Sequence, residues 1–314
     1  MANESSFAQW PLPPSLTVLI ILAAFLYLRG WLAIRKTRAA QFTLQRLNCF
    51  LLGLAVLWMA VASPLDDLAD VSLSAHMLQH LLLMSAVPPL LLLGWPVVPL
   101  LRGLPASILR PVLGPLLRLA VLRRLGRWLI SPPVAWMAMN LTLLGWHVPA
   151  AYDFALTHER WHDFEHLCFL AGSLAFWWYV IQPWPSQPRP VRRWQAQKPR
   201  SDWGVVLYLL SADLVNTALS AFLAFCDRPV YRYYLTQPNP WHVSPLSDQI
   251  LGAVIMWVVG SFVFLVPATW ITFTLLQAPT LAHNHSLTPK FSTLESNSRS
   301  GTRSEWTWRK SARQ

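Results

Sequence analysis

The chain has 314 residues, 54% of them hydrophobic and only 12% charged, which excludes an ordinary soluble domain. Eighteen Trp and 26 Pro suit a polytopic membrane protein, where Trp sits at the interface and Pro is tolerated in spans. A formal charge of +11 invites a nucleic-acid reading, which the placement of that charge argues against.

In chain order, seven apolar segments are long enough to cross a bilayer: 12–34, 47–63, 76–101, 128–147, 162–181, 203–226 and 249–275. The expected fold is therefore an all-α membrane bundle of about seven transmembrane helices, forming a domain over 1–281. The amino-terminal MANESSF lacks the basic region of a signal peptide, so the first segment is expected to be retained. Arg29 interrupts that segment and must snorkel to the interface. Pro88 and Pro89 fall inside the third and should kink it. Residues 282–314, rich in Ser, Thr and Arg and poor in large aliphatics, read as a disordered, basic cytoplasmic tail. His283 and His285 lie there as solvated residues.

The connecting segments fix an expected orientation. Arg29, the stretches after the first, third and fifth segments, and the tail together hold 22 of the 25 basic residues. Arg160, Arg228 and Arg232 alone fall on the other side. The positive-inside rule then places the N-terminus outside and the C-terminus in the cytoplasm, and only an odd number of spans keeps that alternation. The basic surplus is thus topology and contact with membrane lipid, not a nucleic-acid footprint.

With this topology the histidines sort themselves. His76 and His80 open the third segment, His147 closes the fourth, and His162 and His166 open the fifth, all at the outer end. In each i, i+4 pair the two imidazoles share one helix face. Ionisable groups at the entrance to a span are costly and mark function or packing. Neutral imidazole suits Cu, Zn, Fe and Ni, while thioethers such as Met77 and Met84 favour Cu(I). One alternative is that these are interfacial histidines bonded to Asp248, Glu165 or backbone. Two pairs plus His147 on one face favour a ligand site, with Met77 a softer contributor and Glu165 and Asp248 orienting imidazoles from behind.

Other polar or reactive groups carry weaker signals. Asp213, in the middle of the sixth segment with Asn216 three residues on, costs about 2.5–3.5 kcal/mol to insert and should face the bundle interior. It either bonds Asn216 or marks an ion or proton path. Met59, Met137, Met139 and Met256 read as core filling. The scattered Cys49, Cys168 and Cys226 form no disulfide framework or thiolate metal site. The sequence has no GxSxG, P-loop or GxGxxG motif. The string His158-Glu159-Arg160-Trp161-His162 matches HExxH, but it straddles a loop and a span start instead of sitting within one apolar helix. The chain is accordingly expected not to be an enzyme.

Four pieces taken together resemble one family. They are His76-Met77-Leu78-Gln79-His80; Trp146-His147-Val148-Pro149 with Tyr152-Asp153; His162-Asp163-Phe164-Glu165-His166 with Trp177-Trp178; and Asp248-Gln249 with Ile255-Met256-Trp257. Over about residues 45–275 the chain resembles the multi-span CtaG family of cytochrome c oxidase assembly factors, the caa3_CtaG type. The resemblance implies a bacterial inner-membrane protein needed to mature a haem–copper oxidase, with oxidase subunits as partners. Joined to the histidine cluster, it points to copper handling at the outer face, through a shallow site with an open coordination position. Two alternatives stay open: a haem-binding redox protein with paired axial histidines, and a metal-free scaffold that docks an oxidase subunit.

Overall fold

Long apolar runs can satisfy their backbone in lipid only as helices or closed barrels, and every regular element here is a helix among the described residues. The computed structural model describes residues 14–182, 203–239 and 241–286, with side chains through residue 277. In chain order the helices are α1 (Pro14–Arg38), α2 (Leu44–Ala62), α3 (Pro64–Val71), α4 (Leu73–Leu93), α5 (Val97–Gly103) and α6 (Ala106–Arg118). There follow α7 (Ala120–Leu129), α8 (Pro132–Trp146), α9 (Pro149–Leu156), α10 (Glu159–Ile181), α11 (Trp203–Phe225) and α12 (Pro245–Ser286), with a 3₁₀ turn, Tyr233–Leu235, before the last. Met1–Leu275 forms one unit and Leu276–Gln314 a second, helical to Ser286, so that residues 282–286, expected in the disordered tail, continue the last helix. The basic residues at 189–200 and from 290 onward, and the tail from 287, lie outside the described residues.

Among the described residues, six helices are long and apolar enough to cross a membrane: α1, α2, α4, α10, α11 and α12. Counting α5 and α6 as one span, bent by 97°, makes seven. The membrane bundle of six to seven spans is therefore as expected, but two segments differ in detail. The third ends at Leu93, not at residue 101, because a turn at Gly94–Pro96 separates it from α5. Its proline pair sits just after a π-helical turn, Leu82–Ala86, which widens the backbone ahead of two residues that donate no N–H. The fourth segment is a 15-residue α8 closed by Pro132 and Pro133 at its start. At 1.5 Å per residue that is about 22 Å, short of a hydrocarbon core of about 30 Å. The segment between, read as a connecting loop, is helical: α6 and the basic α7, which buries no residue.

Arg29 does not break α1, since it lies on an exposed face of an unbroken 25-residue helix. Arg46, assigned to a loop, is in α2 with its guanidinium 3.2 Å from the centre of the Trp95 ring. Helices α1 and α5 touch at backbone distance through glycines. A Cβ on Gly30 would fall 1.8 Å from the Pro99 carbonyl oxygen, and one on Gly103 1.9 Å from that of Leu26. Small residues permit such an approach where no hydrophobic force drives helices together in lipid. Around this crossing packs a small core of Tyr27, Trp31, Ile34, Phe42, Phe50 and Leu54. The larger core joins α4, α8, α10, α11 and α12, and extends to Tyr152, Tyr231 and Tyr234 at one end.

Candidate metal centre

The N-terminal end of α4 is built around one carboxylate. Asp248, in the first turn of α12, accepts from the backbone N–H of Leu73 (2.7 Å) and Ser74 (3.3 Å) and from the Ser72 and Ser74 hydroxyls. An anion is favoured at those unpaired N–H groups both by hydrogen bonding and by the helix dipole. Asp248 was expected to orient an imidazole; instead it holds the start of the helix that carries His76 and His80. The adjacent Gln249 accepts from Val230 N–H (2.7 Å) and donates to the Leu223 carbonyl (3.1 Å), which fixes the segment after α11. Asp153 accepts from the backbone N–H groups of Arg232 and Tyr233, fixing the same segment at its far end.

Between α4 and α10, at this end, the imidazoles meet. Ligand atoms of His76, His80, His162 and Glu165 all lie within 4.8 Å of one another. His76 Nε2 and His80 Nε2 are 2.8 Å apart, and His80 Nε2 is 3.7 Å from Glu165 Oε1. His166 adjoins the group, its ring 4.3 Å from that of His162 and 5.5 Å from that of His80. The His147 ring stands 6.5 Å from that of His80. Two ligands on a tetrahedral ion at about 2.1 Å are themselves about 3.4 Å apart, so around an ion the 2.8 Å His76–His80 pair opens while the wider separations, up to 4.8 Å, close. Glu165 thus lies among the potential ligands, not behind them.

The hydrogen bonds decide which nitrogens carry lone pairs. Tyr234 donates its hydroxyl proton to the Ala69 carbonyl (2.8 Å), so His76 Nδ1, 3.1 Å away, must be the donor to it. That leaves His76 Nε2 with a lone pair facing the cluster. In the same way His147 Nδ1–H donates to the Leu143 carbonyl (2.7 Å), which leaves Nε2 bare. His147 Nε2, His162 Nε2, His166 Nε2 and both Glu165 oxygens are buried without a hydrogen-bond partner. Such groups are costly to leave unsatisfied, and here they are concentrated in one place.

The site is enclosed, contrary to the expectation of a shallow entrance. His76 is fully buried and Glu165 is 1% exposed. The cover is a set of tyrosines, of which the sequence offered only Tyr152, without a role: Tyr152 stacks on Tyr231 with ring centroids 3.9 Å apart and lies 5.2 Å from the His76 ring. Tyr231 and Tyr234 sit in a short irregular segment with no periodicity to mark them, and burial raises the pKa of both phenols, keeping them neutral. His162 is only partly buried, so its side is the one on which the cluster approaches the surface. Gln79, also unplaced by the sequence reading, is fully buried and donates to the Ala60 carbonyl (2.9 Å) and Asp66 Oδ1 (2.5 Å). Burial raises the Asp66 pKa to about 6; Gln79 lowers it, and Asp70, Asp67 and Asp163 add to the rise.

The remaining sequence candidates fall elsewhere. Met77 is one residue, or 100°, round from His76 and packs towards α12, where a Cβ on Gly252 would meet its Cγ at 3.1 Å. Asn216 does not serve Asp213; it donates to the Met256 carbonyl (3.1 Å), while Asp213 has Ser261 within hydrogen-bond reach. His158 is exposed at the start of α10, with Nδ1 bonded to the Phe154 carbonyl (2.9 Å). The HExxH string therefore splits: His162 joins the cluster and His158 does not.

A multi-pass helical membrane protein with buried imidazole and carboxylate groups gathered at one end of its bundle is the class these features define. Residues 25–278 match the family model for the cytochrome c oxidase caa3 assembly factor (Caa3_CtaG), and the chain belongs to that family. Among curated proteins it is similar to an uncharacterized protein of Mycobacterium bovis, 25% identical over 245 residues, covering 76% of this chain and 35% of that protein. A Mycobacterium leprae protein, also uncharacterized, is 24% identical over 266 residues, covering 80% of this chain and 37% of the relative. The chain thus spans little more than a third of the length of these relatives. No solved structure matches it.

Proposed function

We propose that this chain assists maturation of a haem–copper oxidase in the bacterial inner membrane by holding a copper ion at the His76/His80/His162/Glu165 cluster and giving it up to an oxidase subunit. In this reading copper is cargo, the role is not catalytic, and the cluster faces the outer side. His147 and His166 stand next to the four ligands, so an ion can exchange one imidazole for another as it moves. The observation that carries the reading is the concentration of unpartnered, buried imidazole nitrogens and carboxylate oxygens around four ligand atoms within 4.8 Å. The donor set, imidazole with one carboxylate, suits copper or zinc, and membership of an oxidase assembly family favours copper. Rings packed with centroids 4.1–6.5 Å apart favour an ion over a haem, whose axial ligands must stand on either side of a macrocycle.

The test is made in cells. Alanine at His76, His80 and His162 together is expected to leave the protein in the membrane while the oxidase loses copper and activity. Normal oxidase copper and activity in that strain would remove the copper reading. Oxidase loss in proportion to lost protein stability alone would favour the metal-free scaffold.

A further inference from the structure

Beneath the histidine cluster lies a small cavity lined by Met77, Met84, Met139, Met256, His80 and His147. The chain has seven methionines. Met59 and Met137 are exposed on the helix surfaces, and Met1 is outside the described residues. The four buried methionines all line this one space, from α4, α8 and α12. Core filling accounts for a methionine at any one of these positions, but it gives no reason for four thioethers to converge where Leu or Phe would fill the volume with better-defined rotamers. The main chain is fixed around them. Trp177 donates to the Met84 carbonyl (3.2 Å), and Asn216 to the Met256 carbonyl. The space is about 20 Å³ for the centre of a water-sized body, enough for one small occupant. At its upper end His147 presents the lone pair of Nε2, buried and unpartnered.

We propose that this cavity is a second cation site, a thioether and imidazole site for Cu(I), separate from the harder His/Glu site above it. Thioethers are weak hydrogen-bond acceptors but good ligands for soft monovalent copper, and a small space lined mainly by apolar and thioether side chains disfavours hydrated divalent ions. His80 and His147 line the cavity and also border the upper cluster, so the two sites are contiguous. An ion entering as Cu(I) passes between them without a change of oxidation state. The proposal rests on the copper reading above only for the natural identity of the ion; the site itself is defined by its own donors.

Ag(I), a redox-inert analogue of Cu(I), tests it. The full-length chain, purified in detergent with Cys49→Ser, Cys168→Ser and Cys226→Ser to remove competing thiols, is titrated with Ag(I) and its silver X-ray absorption recorded. Two equivalents are expected, one with thioether sulfur neighbours. Met84→Leu/Met139→Leu/Met256→Leu, a volume-conserving set, should lose the sulfur-ligated equivalent and keep the other. His76→Ala/His162→Ala should do the reverse. Silver without sulfur neighbours in the unsubstituted binding site overturns the proposal, and that spectrum needs no methionine variant to fold. Loss of silver in the histidine variant with no change in the leucine set retains the upper site and removes this one. The opposite pattern retains this site and removes the upper one, and no bound silver removes both.

Discussion

Asp248 is the residue on which the site most depends without touching it. Its carboxylate accepts from two backbone N–H groups and two hydroxyls at the start of α4. Leaving several buried donors unsatisfied costs about 1–3 kcal/mol for each group. Asp248→Ala is expected to lower the stability of the detergent-purified protein by at least about 3 kcal/mol, read from thermal unfolding, with Asp248→Asn falling between. Asp66 makes a pH prediction. Its folded pKa, raised to about 6 by burial, lies above the unfolded value near 4, so the native state binds the extra proton. Its stabilising contribution is complete below about pH 4 and is lost as pH rises through 6. Discounted for partial exposure, the swing is on the order of 1–2 kcal/mol. Asp66→Asn should remove it, flattening the difference between unfolding temperatures at pH 5 and pH 7. An unchanged pH profile in the variant would show that Asp66 does not titrate in this way. At this scale the sequence was informative where spacing alone decides geometry. His76 and His80, and His162 and His166, share faces because four residues nearly complete a turn. It gave no role to Gln79, or to the tyrosines, whose partners lie far off in the chain, as Ala69 does for Tyr234.

At the scale of elements, spans were legible from apolar length and their ends were not. The π turn before Pro88 and the break at Gly94–Pro96 are backbone solutions to proline that hydropathy does not encode. The pairing of α1 with α5 is likewise invisible until Gly30 and Gly103 are seen against carbonyls. It makes a sharp prediction. Gly103→Ala places a methyl against backbone that cannot rotate away, and should destabilise by about 1–3 kcal/mol and open α1 to proteolysis. Gly126→Ala, where a Cβ meets nothing within 4 Å, should be neutral or stabilise by about 0.5–1 kcal/mol through helix propensity. Equal effects of the two substitutions on thermal unfolding would contradict the close crossing. Helix α7 marks another limit of segment reading. Arg123, Arg124 and Arg127 alternate with exposed Val121, Leu122, Leu125 and Trp128, the pattern of a helix lying along a membrane surface.

For the whole molecule, family membership and a helical membrane bundle stand on the family match and the spans; the copper role and the orientation are proposals. The basic asymmetry gives the orientation a direct test. A fluorescent fusion after Gln314, which matures only in the cytoplasm, should be bright, and an alkaline phosphatase fusion there inactive. The reverse pattern would put the histidine cluster on the cytoplasmic side and remove the route by which copper reaches it from outside. The central claim is that the buried cluster holds copper. It is met most directly by loading the detergent-purified protein with Cu(I), stripping loosely held metal, and counting copper per chain in the wild type and in His76→Ala/His162→Ala. Copper retained by the wild type and reduced in a variant with the same unfolding temperature is the predicted result. Equal copper in both proteins, or none retained by the wild type, would contradict it.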